Sequence, residues 1–109
     1  VAYGTSKAAV IHLTKQMAVE LGDYGVRVNS VSPGPVKTKL AAAIHTPDIL
    51  KAYHDTIPMG RSATEEDIAE AVVFLCSEKS TFITGQMLAV DGGFDAAGIG
   101  LPSLREFRQ

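Results

Sequence analysis

The sequence predicts an α/β domain with a parallel sheet, and three stretches support this prediction. Residues 5–21 carry apolar side chains at the spacing of an amphipathic helix. A turn at 23–25 and a short strand rich in β-branched residues at 26–31 follow directly. A helix, a tight turn and a strand form the second half of a βαβ unit, in which the strands run parallel. A second strand is predicted at 85–90, after the next long helix.

The first helix is predicted to bury a broad apolar stripe along one face. The stripe comprises residues at helical spacing, namely Val10, Leu13, Met17 and Leu21, flanked by Ala8, Ile11 and Ala18. We interpret Met17 as a core residue and His12 as a surface or interface residue rather than a ligand. Gly22 is expected to end the helix in a left-handed conformation.

A long connection follows the first strand. Segment 35–60 contains two predicted short helices, 40–44 and 48–54, and a connection this long in an α/β domain is typical of a lid or a binding loop. We expect it to fold over a ligand site and to set substrate choice. His45 and His54 lie within it, and we expect both to face solvent rather than to act in catalysis.

The last predicted helix spans 64–76 and has a clear start. Thr64 is expected to cap the amide of Asp67, and three acidic residues lie at the positive end of the helix dipole. Its predicted buried face comprises Ile68, Ala71, Val72, Leu75 and Cys76. The tail at 96–109 is interpreted either as a loosely ordered extension or as an arm that contacts another subunit, and the sequence leaves both open.

Composition narrows the class of protein. The chain has 109 residues, 46% of them hydrophobic, and a formal net charge of −2, which fits one ordinary domain at most. Without a basic patch, neither a nucleic acid nor an anionic membrane is expected as a partner. The single cysteine, Cys76, excludes an internal disulfide and fits a reducing compartment, so we expect a cytoplasmic protein. No apolar stretch is long enough to span a bilayer, and no signal peptide or metal-ligand spacing is visible.

Two features of the chain concern its extent. It begins at Val1, and its hydrophobic share is high for its length, which suggests surfaces that something else covers. We therefore expect the chain to be the C-terminal part of a larger protein.

The start of the first helix holds a candidate acid/base pair. Tyr3 and Lys7 are four residues apart, so their side chains lie on the same helix face. A free phenol loses its proton only near about pH 10, but a neighbouring cation favours the phenolate. Such a tyrosine can exchange a proton with a carbinol or carbonyl oxygen. Since an exposed tyrosine beside a solvated lysine is the commoner meaning of this spacing, the assignment depends on the motifs that follow.

A turn directly after the first strand is a candidate ligand contact. In open α/β sheets, ligands bind beyond the carboxyl ends of the strands. The pair Pro33-Gly34 would fix a sharp turn there and let the backbone approach a flat ligand closely. The alternative interpretation is an ordinary turn between a strand and a helix.

Taken in order, these motifs resemble the C-terminal half of a short-chain dehydrogenase/reductase. The matching motifs are Tyr3-x-x-x-Lys7, Asn29-x-Val31-x-Pro33-Gly34-x-Val36-x-Thr38, and Ile83-Thr84-Gly85-Gln86 to Val90-Asp91-Gly92-Gly93. The resemblance covers 1–95 and is strongest to 3-oxoacyl-(acyl carrier protein) reductases and glucose 1-dehydrogenases. It implies the C-terminal part of a Rossmann-like, doubly wound parallel sheet, with two strands and flanking helices present and 96–109 as a tail.

The resemblance also implies an activity. Tyr3 would be the catalytic acid/base, and Lys7 would assist it and bind the nicotinamide ribose. The implied enzyme is an NAD- or NADP-dependent oxidoreductase that interconverts an alcohol and a ketone or aldehyde by hydride transfer. Its partners would be a small alcohol or carbonyl substrate and further copies of the chain, as a dimer or tetramer. A sugar, a steroid, an acyl thioester and a simple alcohol all remain open as substrates.

The same resemblance assigns the turn after the first strand to the cofactor. Pro33 and Gly34 would lie against the nicotinamide. Val36 would bind its carboxamide through the backbone, and Thr38 would do so through its hydroxyl.

Some of the family's parts are not found in the sequence. They are the glycine-rich turn that cradles the pyrophosphate, the serine that polarises the substrate and the helix asparagine. An alternative of a different class is therefore a truncated, catalytically inactive chain that acts only as an assembly or interaction module. A regulatory relative without chemistry is a third hypothesis, and the intact Tyr3, Lys7 and Thr38 argue against it.

Overall fold

The computed structural model describes residues 1–44, 46–97 and 100–109. Five helices and two strands are described, with short 3₁₀ turns at Gly22–Tyr24 and Glu78–Ser80. In chain order they are α1 (Ala2–Leu21), β1 (Ser30–Pro33), α2 (Lys39–Ile44), α3 (Pro47–Thr56), α4 (Glu65–Cys76), β2 (Met87–Val90) and α5 (Leu101–Arg108).

The chain divides into two compact units. Unit 1 consists of Val1–Ser32 and Glu70–Leu88, and unit 2 consists of Pro33–Ala69 and Ala89–Gln109. Unit 1 therefore contains α1, and unit 2 contains α2, α3 and α5.

The two described strands form a parallel sheet. The N–H of Ser30 donates to the carbonyl of Gln86 at 2.9 Å, and the N–H of Gly34 donates to the carbonyl of Val90 at 3.0 Å. Both partners advance by the same number of residues in the same direction, which is the register of parallel strands. The predicted α/β class with a parallel sheet is confirmed.

The first strand begins later than the sequence predicts. It starts at Ser30 rather than at 26, because side chains take the place of ladder hydrogen bonds in the residues before it. The N–H of Val28 donates to Thr84 Oγ1 at 3.0 Å, and Asn29 Oδ1 accepts from the N–H of Gln86 at 3.0 Å. The second strand likewise starts at Met87, two residues after Gly85, whose φ is 73°.

The expected left-handed end of α1 at Gly22 is wrong. Gly22 has φ −57° and is right-handed, because the chain continues from α1 into a 3₁₀ turn. The left-handed residue is Gly25, with φ 74°, and its N–H donates to the carbonyl of Gly22 at 3.0 Å. The chain therefore reverses three residues beyond the predicted position.

The predicted apolar stripe of α1 is largely exposed. Val10, Leu13 and Met17 are 51%, 54% and 39% exposed, so the interpretation of Met17 as core is wrong. The buried residues of α1 are Thr14 and Ala18. Position 18 needs a small side chain, because a Cβ on Gly85 would already lie 3.3 Å from the Cβ of Ala18. Because the backbone at Gly85 lies so close to α1, the helix buries its face of small residues there and not its face of large residues.

His12 and α4 show how far the other helix predictions hold. His12 is exposed, as predicted, and its Nε2 lies 3.1 Å from Gln16 Nε2. In α4, the predicted face is only half-buried, and Val72 and Cys76 are exposed, contrary to the prediction. The described sheet has two strands, which offer too little surface to cover a helix face of this width.

The predicted short helices within 35–60 are confirmed as α2 and α3. His54 is half-buried and its Nε2 lies 3.0 Å from the hydroxyl of the buried Ser62, so the expectation that it faces solvent is wrong. His45, for which the same was expected, lies outside the described residues.

The tail contains α5, which contacts α3, so the interpretation of the tail as a loosely ordered extension is wrong.

The buried interior of the described chain is small. Its buried apolar residues are Ala18 in unit 1 and Ile57 in unit 2, and its buried polar residues are Thr14, Ser62 and Ser80. Within the described ranges, every helix falls short of the length or the apolar character that a membrane span requires.

Candidate active site

The first turns of α1 place Tyr3 and Lys7 side by side. The helix is established from its first residues, since the N–H of Thr5 donates to the carbonyl of Val1 at 3.0 Å. Ser6 Oγ donates to the carbonyl of Tyr3 at 2.8 Å, which keeps the hydroxyl on the backbone. The Lys7 ammonium lies 5.3 Å from the centre of the Tyr3 ring, within the range of a cation–π contact.

The Tyr3 side chain is open to solvent. Tyr3 is 76% exposed, so a substrate oxygen can reach its phenol without rearrangement of the described chain. The arrangement is therefore capable of proton exchange with an external oxygen atom.

The turn after β1 is fixed by the end of β2. Pro33 is the last residue of β1, and the N–H of the next residue, Gly34, donates to the carbonyl of Val90. A Cβ on Gly34 would lie 2.9 Å from the Cα of Asp91 and 3.0 Å from its Cβ. Glycine is thus required by packing inside unit 2, which is a different reason from the close approach to a ligand that the sequence predicts.

Val36 forms an isolated parallel bridge with Ala63. The N–H of Lys37 donates to the carbonyl of Ala63 at 2.8 Å, and the N–H of Ala63 donates to the carbonyl of Pro35 at 2.8 Å. Because a parallel bridge uses the groups of the flanking residues, the N–H and C=O of Val36 point away from Ala63. One donor and one acceptor side by side match a carboxamide, which carries both.

Thr38 directly precedes α2 and is half-buried. Its carbonyl accepts from the N–H of Ala42 at 3.0 Å, which is the first hydrogen bond of that helix. The start of α2 therefore fixes the backbone of Thr38 two residues after Val36.

The turn after β2 has a structural role that the sequence argument missed. Asp91 Oδ1 accepts from the N–H of Gly93, and its Oδ2 accepts from the N–H of Asp95, both at 3.0 Å. Gly92 has φ 64°, and a Cβ there would lie 2.8 Å from Ile57 Cγ2. Two adjacent glycines at a strand end are the signal that could have indicated this close approach.

Thr64 caps the amide of Asp67 at the start of α4, as predicted, and Asp67 returns a second bond that was not predicted. The N–H of Asp67 donates to Thr64 Oγ1 at 3.1 Å, and the N–H of Thr64 donates to Asp67 Oδ2 at 2.9 Å. Arg61 Nη1 also donates to that carboxylate, at 2.9 Å. The backbone N–H of Thr64, followed by the Arg61 guanidinium, holds the pKa of Asp67 below its ordinary value of 3.8.

A cavity of about 200 Å³ lies in unit 2 at the carboxyl ends of β1 and β2. It is lined by Gly34, Pro35, Met59, Arg61, Ala63, Asp67, Val90, Asp91 and Gly92. Sites for drug-sized ligands measure roughly 300–1,000 Å³, so this cavity would hold only part of such a molecule. Within the described ranges, no three His, Cys, Asp or Glu residues are grouped to hold a metal ion.

The predicted site residues thus fall into two groups. Tyr3 and Lys7 are in contact in unit 1. Pro33, Gly34, Val36 and Thr38 follow one another along a fixed turn in unit 2.

Known proteins resemble most of this chain. A family model described as enoyl-(acyl carrier protein) reductase matches residues 1–95. The A-factor type γ-butyrolactone 1′-reductase (1S-forming) of Streptomyces virginiae is 44% identical over 94 residues, which cover 84% of this chain and 37% of the relative. The 3-oxoacyl-(acyl-carrier-protein) reductase FabG of Aquifex aeolicus is 42% identical over 91 residues, which cover 84% of this chain and 36% of the relative.

A solved structure shares the fold as well. A 4-hydroxyisoleucine dehydrogenase mutant complexed with NADH and succinate superposes with a TM-score of 0.83 at 36% identity, over 88% of this chain and 40% of that one. The chain therefore spans at most two fifths of the length of the relatives named here, which is 40% for this structure.

Proposed function

The chain belongs to the short-chain dehydrogenase/reductase family, and from this premise we propose that it carries part of the active site of an NAD(P)-dependent oxidoreductase. The reaction would interconvert an alcohol and a ketone or aldehyde by hydride transfer. The observation that carries this proposal is the contact between Tyr3 and Lys7, with the ammonium 5.3 Å from the ring centre. The two curated relatives are named reductases and the structural relative is a dehydrogenase, which supports the same class of reaction.

Tyr3 is the proposed catalytic acid/base. In the reducing direction its phenol gives a proton to the carbonyl oxygen of the substrate, and in the oxidising direction its phenolate removes the proton of the alcohol. Lys7 stabilises the negative charge that forms on Tyr3 when the proton leaves. The exposure of Tyr3, 76%, supports this role because the phenol is accessible to an external oxygen.

The turn after β1 is the proposed contact for the nicotinamide of NAD or NADP. Val36 would bind the carboxamide through its N–H and C=O, which point away from Ala63, and Thr38 would contribute its hydroxyl. Pro33 and Gly34 would lie against the ring, and Lys7 would bind the ribose hydroxyls. A bound nicotinamide would supply the hydride in one direction and accept it in the other.

Segment 35–60 is proposed to choose the substrate, a small alcohol or carbonyl compound. It contributes Pro35 and Met59 to the lining of the unit 2 cavity. The candidate substrates are a sugar, a steroid, an acyl thioester and a simple alcohol.

We also propose that the whole protein is a cytoplasmic homo-oligomer. The exposed apolar stripe of α1, formed by Val10, Leu13 and Met17, supports association between copies because water contact with such a surface is unfavourable. The free thiol of Cys76, which is exposed, fits a reducing compartment.

The same exposed stripe favours the second candidate function, an assembly module without catalysis. The two candidates differ in cofactor binding by the 109-residue chain. Binding of NADH or NADPH, measured by fluorescence titration of the isolated chain, would exclude the pure assembly module. Absence of binding together with self-association of the isolated chain would favour it.

Replacement of Tyr3 by Phe in the whole protein tests the proposed function. We expect kcat/KM to fall by roughly 10²–10⁴-fold, the typical contribution of a general acid or base, with the thermal unfolding midpoint unchanged. Tyr24→Phe is the matched control, because Tyr24 is a tyrosine of unit 1 that is 80% exposed. Activity retained in Tyr3→Phe would contradict the role of Tyr3, and an equal loss in Tyr24→Phe would show that the effect is not specific.

A further inference from the structure

Arg105 of α5 binds four backbone carbonyl groups at the C-terminal end of α3. Its Nη1 donates to the carbonyls of His54 and Asp55 at 3.1 and 3.0 Å. Its Nη2 donates to the carbonyl of Pro58 at 2.8 Å and to that of Ile57. The last carbonyls of a helix lack partners within it and form the negative end of the dipole, so a guanidinium satisfies both their hydrogen bonds and their charge.

The same stretch of chain is held from a second side. Ile57 is only 1% exposed, and its Cγ2 occupies the space into which a Cβ on Gly92 would point. The N–H of Met59 donates to the carbonyl of Gly92 at 3.0 Å. Arg105 and Gly92 therefore hold the end of segment 35–60 through contacts with distant parts of the chain.

The two ends of α3 differ in how they are held. The first turn has a local cap, in which Thr46 Oγ1 accepts from the N–H of Ile49 at 3.3 Å. The last turn has a local bond from the N–H of Ile57 to the carbonyl of His54 at 3.3 Å, and it also has the long-range bonds of Arg105, which is 51 positions from His54. Loss of the guanidinium would thus remove the long-range bonds of the last turn and leave the start of α3 capped.

The helix that supplies Arg105 lies outside the family match. The match ends at residue 95, whereas α5 spans Leu101–Arg108. Membership of the family therefore does not by itself predict this contact.

We propose that α5 acts through Arg105 as a clamp that positions segment 35–60, and that Arg105 is in this way a positioning residue for substrate selection. The substrate role rests on the proposed function, because only an oxidoreductase gives this segment a substrate to choose. Arg105 acts through α3 and contacts neither substrate nor cofactor in this assignment.

The test compares three variants of the whole protein. Arg105→Ala removes the guanidinium, Arg105→Lys keeps the charge without the planar fork, and Arg108→Ala is the matched control on the exposed part of the same helix. Amide hydrogen exchange is measured by mass spectrometry, together with KM and kcat for the carbonyl substrate and for NAD(P)H.

The clamp predicts a local effect. Exchange in 54–60 should accelerate about tenfold or more in Arg105→Ala, as the loss of hydrogen bonds to a charged group implies, and by less in Arg105→Lys. Exchange in α1 should be the same in all three variants. KM for the carbonyl substrate should rise by roughly the same factor, while kcat and KM for NAD(P)H change little.

Each outcome decides part of the proposal. Unchanged exchange in 54–60 in Arg105→Ala overturns the clamp, and faster exchange with an unchanged KM overturns the substrate role. If Arg105→Ala does not fold, the proposal is tested with Arg105→Lys by the same two measurements, which are exchange in 54–60 and KM for the carbonyl substrate. If the unmodified protein turns over no alcohol or carbonyl compound, the proposed function fails and the substrate role with it, while the exchange measurement still decides the clamp.

Discussion

The start of α1 and the turn after β1 both hold predicted site residues, but they are held in different ways. Around Tyr3 every contact described above is local, between residues three or four positions apart on one helix. The turn at 33–38 is held by Val90 and Ala63, which are distant in sequence. A helical spacing alone therefore places the first group, whereas the second needs the rest of unit 2 to be folded.

The largest loss of stability is expected from a substitution at Gly92, where the chain is held by a residue distant in sequence. Gly92→Ala combines a left-handed residue, φ 64°, with an atom 2.8 Å away, whereas Gly25→Ala has φ 74° and nothing within 4 Å. The left-handed conformation costs about 1–2 kcal/mol and overpacking a further 1–3 kcal/mol. Denaturant unfolding should show a loss of about 2–5 kcal/mol for Gly92→Ala and about 1–2 kcal/mol for Gly25→Ala. Equal losses would mean that the close approach to Ile57 is relaxed at no cost.

Unit 1 also contains long-range hydrogen bonds, made by Arg27, so local and long-range contacts can be compared within this unit. Arg27 donates from Nη1 to Ser80 Oγ at 3.0 Å and to the carbonyl of Ile83 at 3.2 Å, and from Nη2 to the carbonyl of Ser77 at 3.1 Å. Arg27→Ala should lower the free energy of unfolding by about 1.5–3 kcal/mol, the range for hydrogen bonds to a charged group. Arg27→Lys should recover only part of this loss. No loss in Arg27→Ala would show that these three hydrogen bonds do not stabilise unit 1.

The smallest effect is expected from the local cap at the start of α4, and it depends on pH. Because the pKa of Asp67 is lowered in the folded state, its contribution is complete above the ordinary value of 3.8 and is lost as the pH falls through the folded pKa. The unmodified protein should therefore lose stability on acidification below that value, and Asp67→Asn should lose less. The measurement is the thermal midpoint from about pH 6 to about pH 2. Identical pH profiles would contradict the capping role.

Local patterns in the sequence were enough to predict much of the fold. They predicted α1, α2, α3 and α4, and they identified Thr64 as the cap of Asp67. The spacing of Tyr3 and Lys7 also predicted their contact, because four residues complete slightly more than one helical turn. In each case the relevant partners lie within a few residues of one another.

The predictions that failed depended on distant partners. Met17 is exposed because the backbone near Gly85 packs on the small residues of α1 instead. His54 is half-buried because Ser62, eight positions away, lies beside it. The strand at Ser30 starts late because Asn29 and Thr84 use side chains for bonds that a regular ladder would make with backbone groups. No local pattern contains these partners.

The parallel pairing of β1 and β2 sets the order in which the chain can fold. Contacts beside the sheet join Val28 to Thr84, 56 positions apart, and closing so long a loop has an entropic cost that local helices do not have. On the ribosome, α1 can form as soon as it emerges, whereas the sheet cannot form until Met87–Val90 has been synthesised. Newly made β1 therefore lacks its partner β2 while residues 34–86 are synthesised, and that interval is when its edge is most exposed to aggregation and to chaperones.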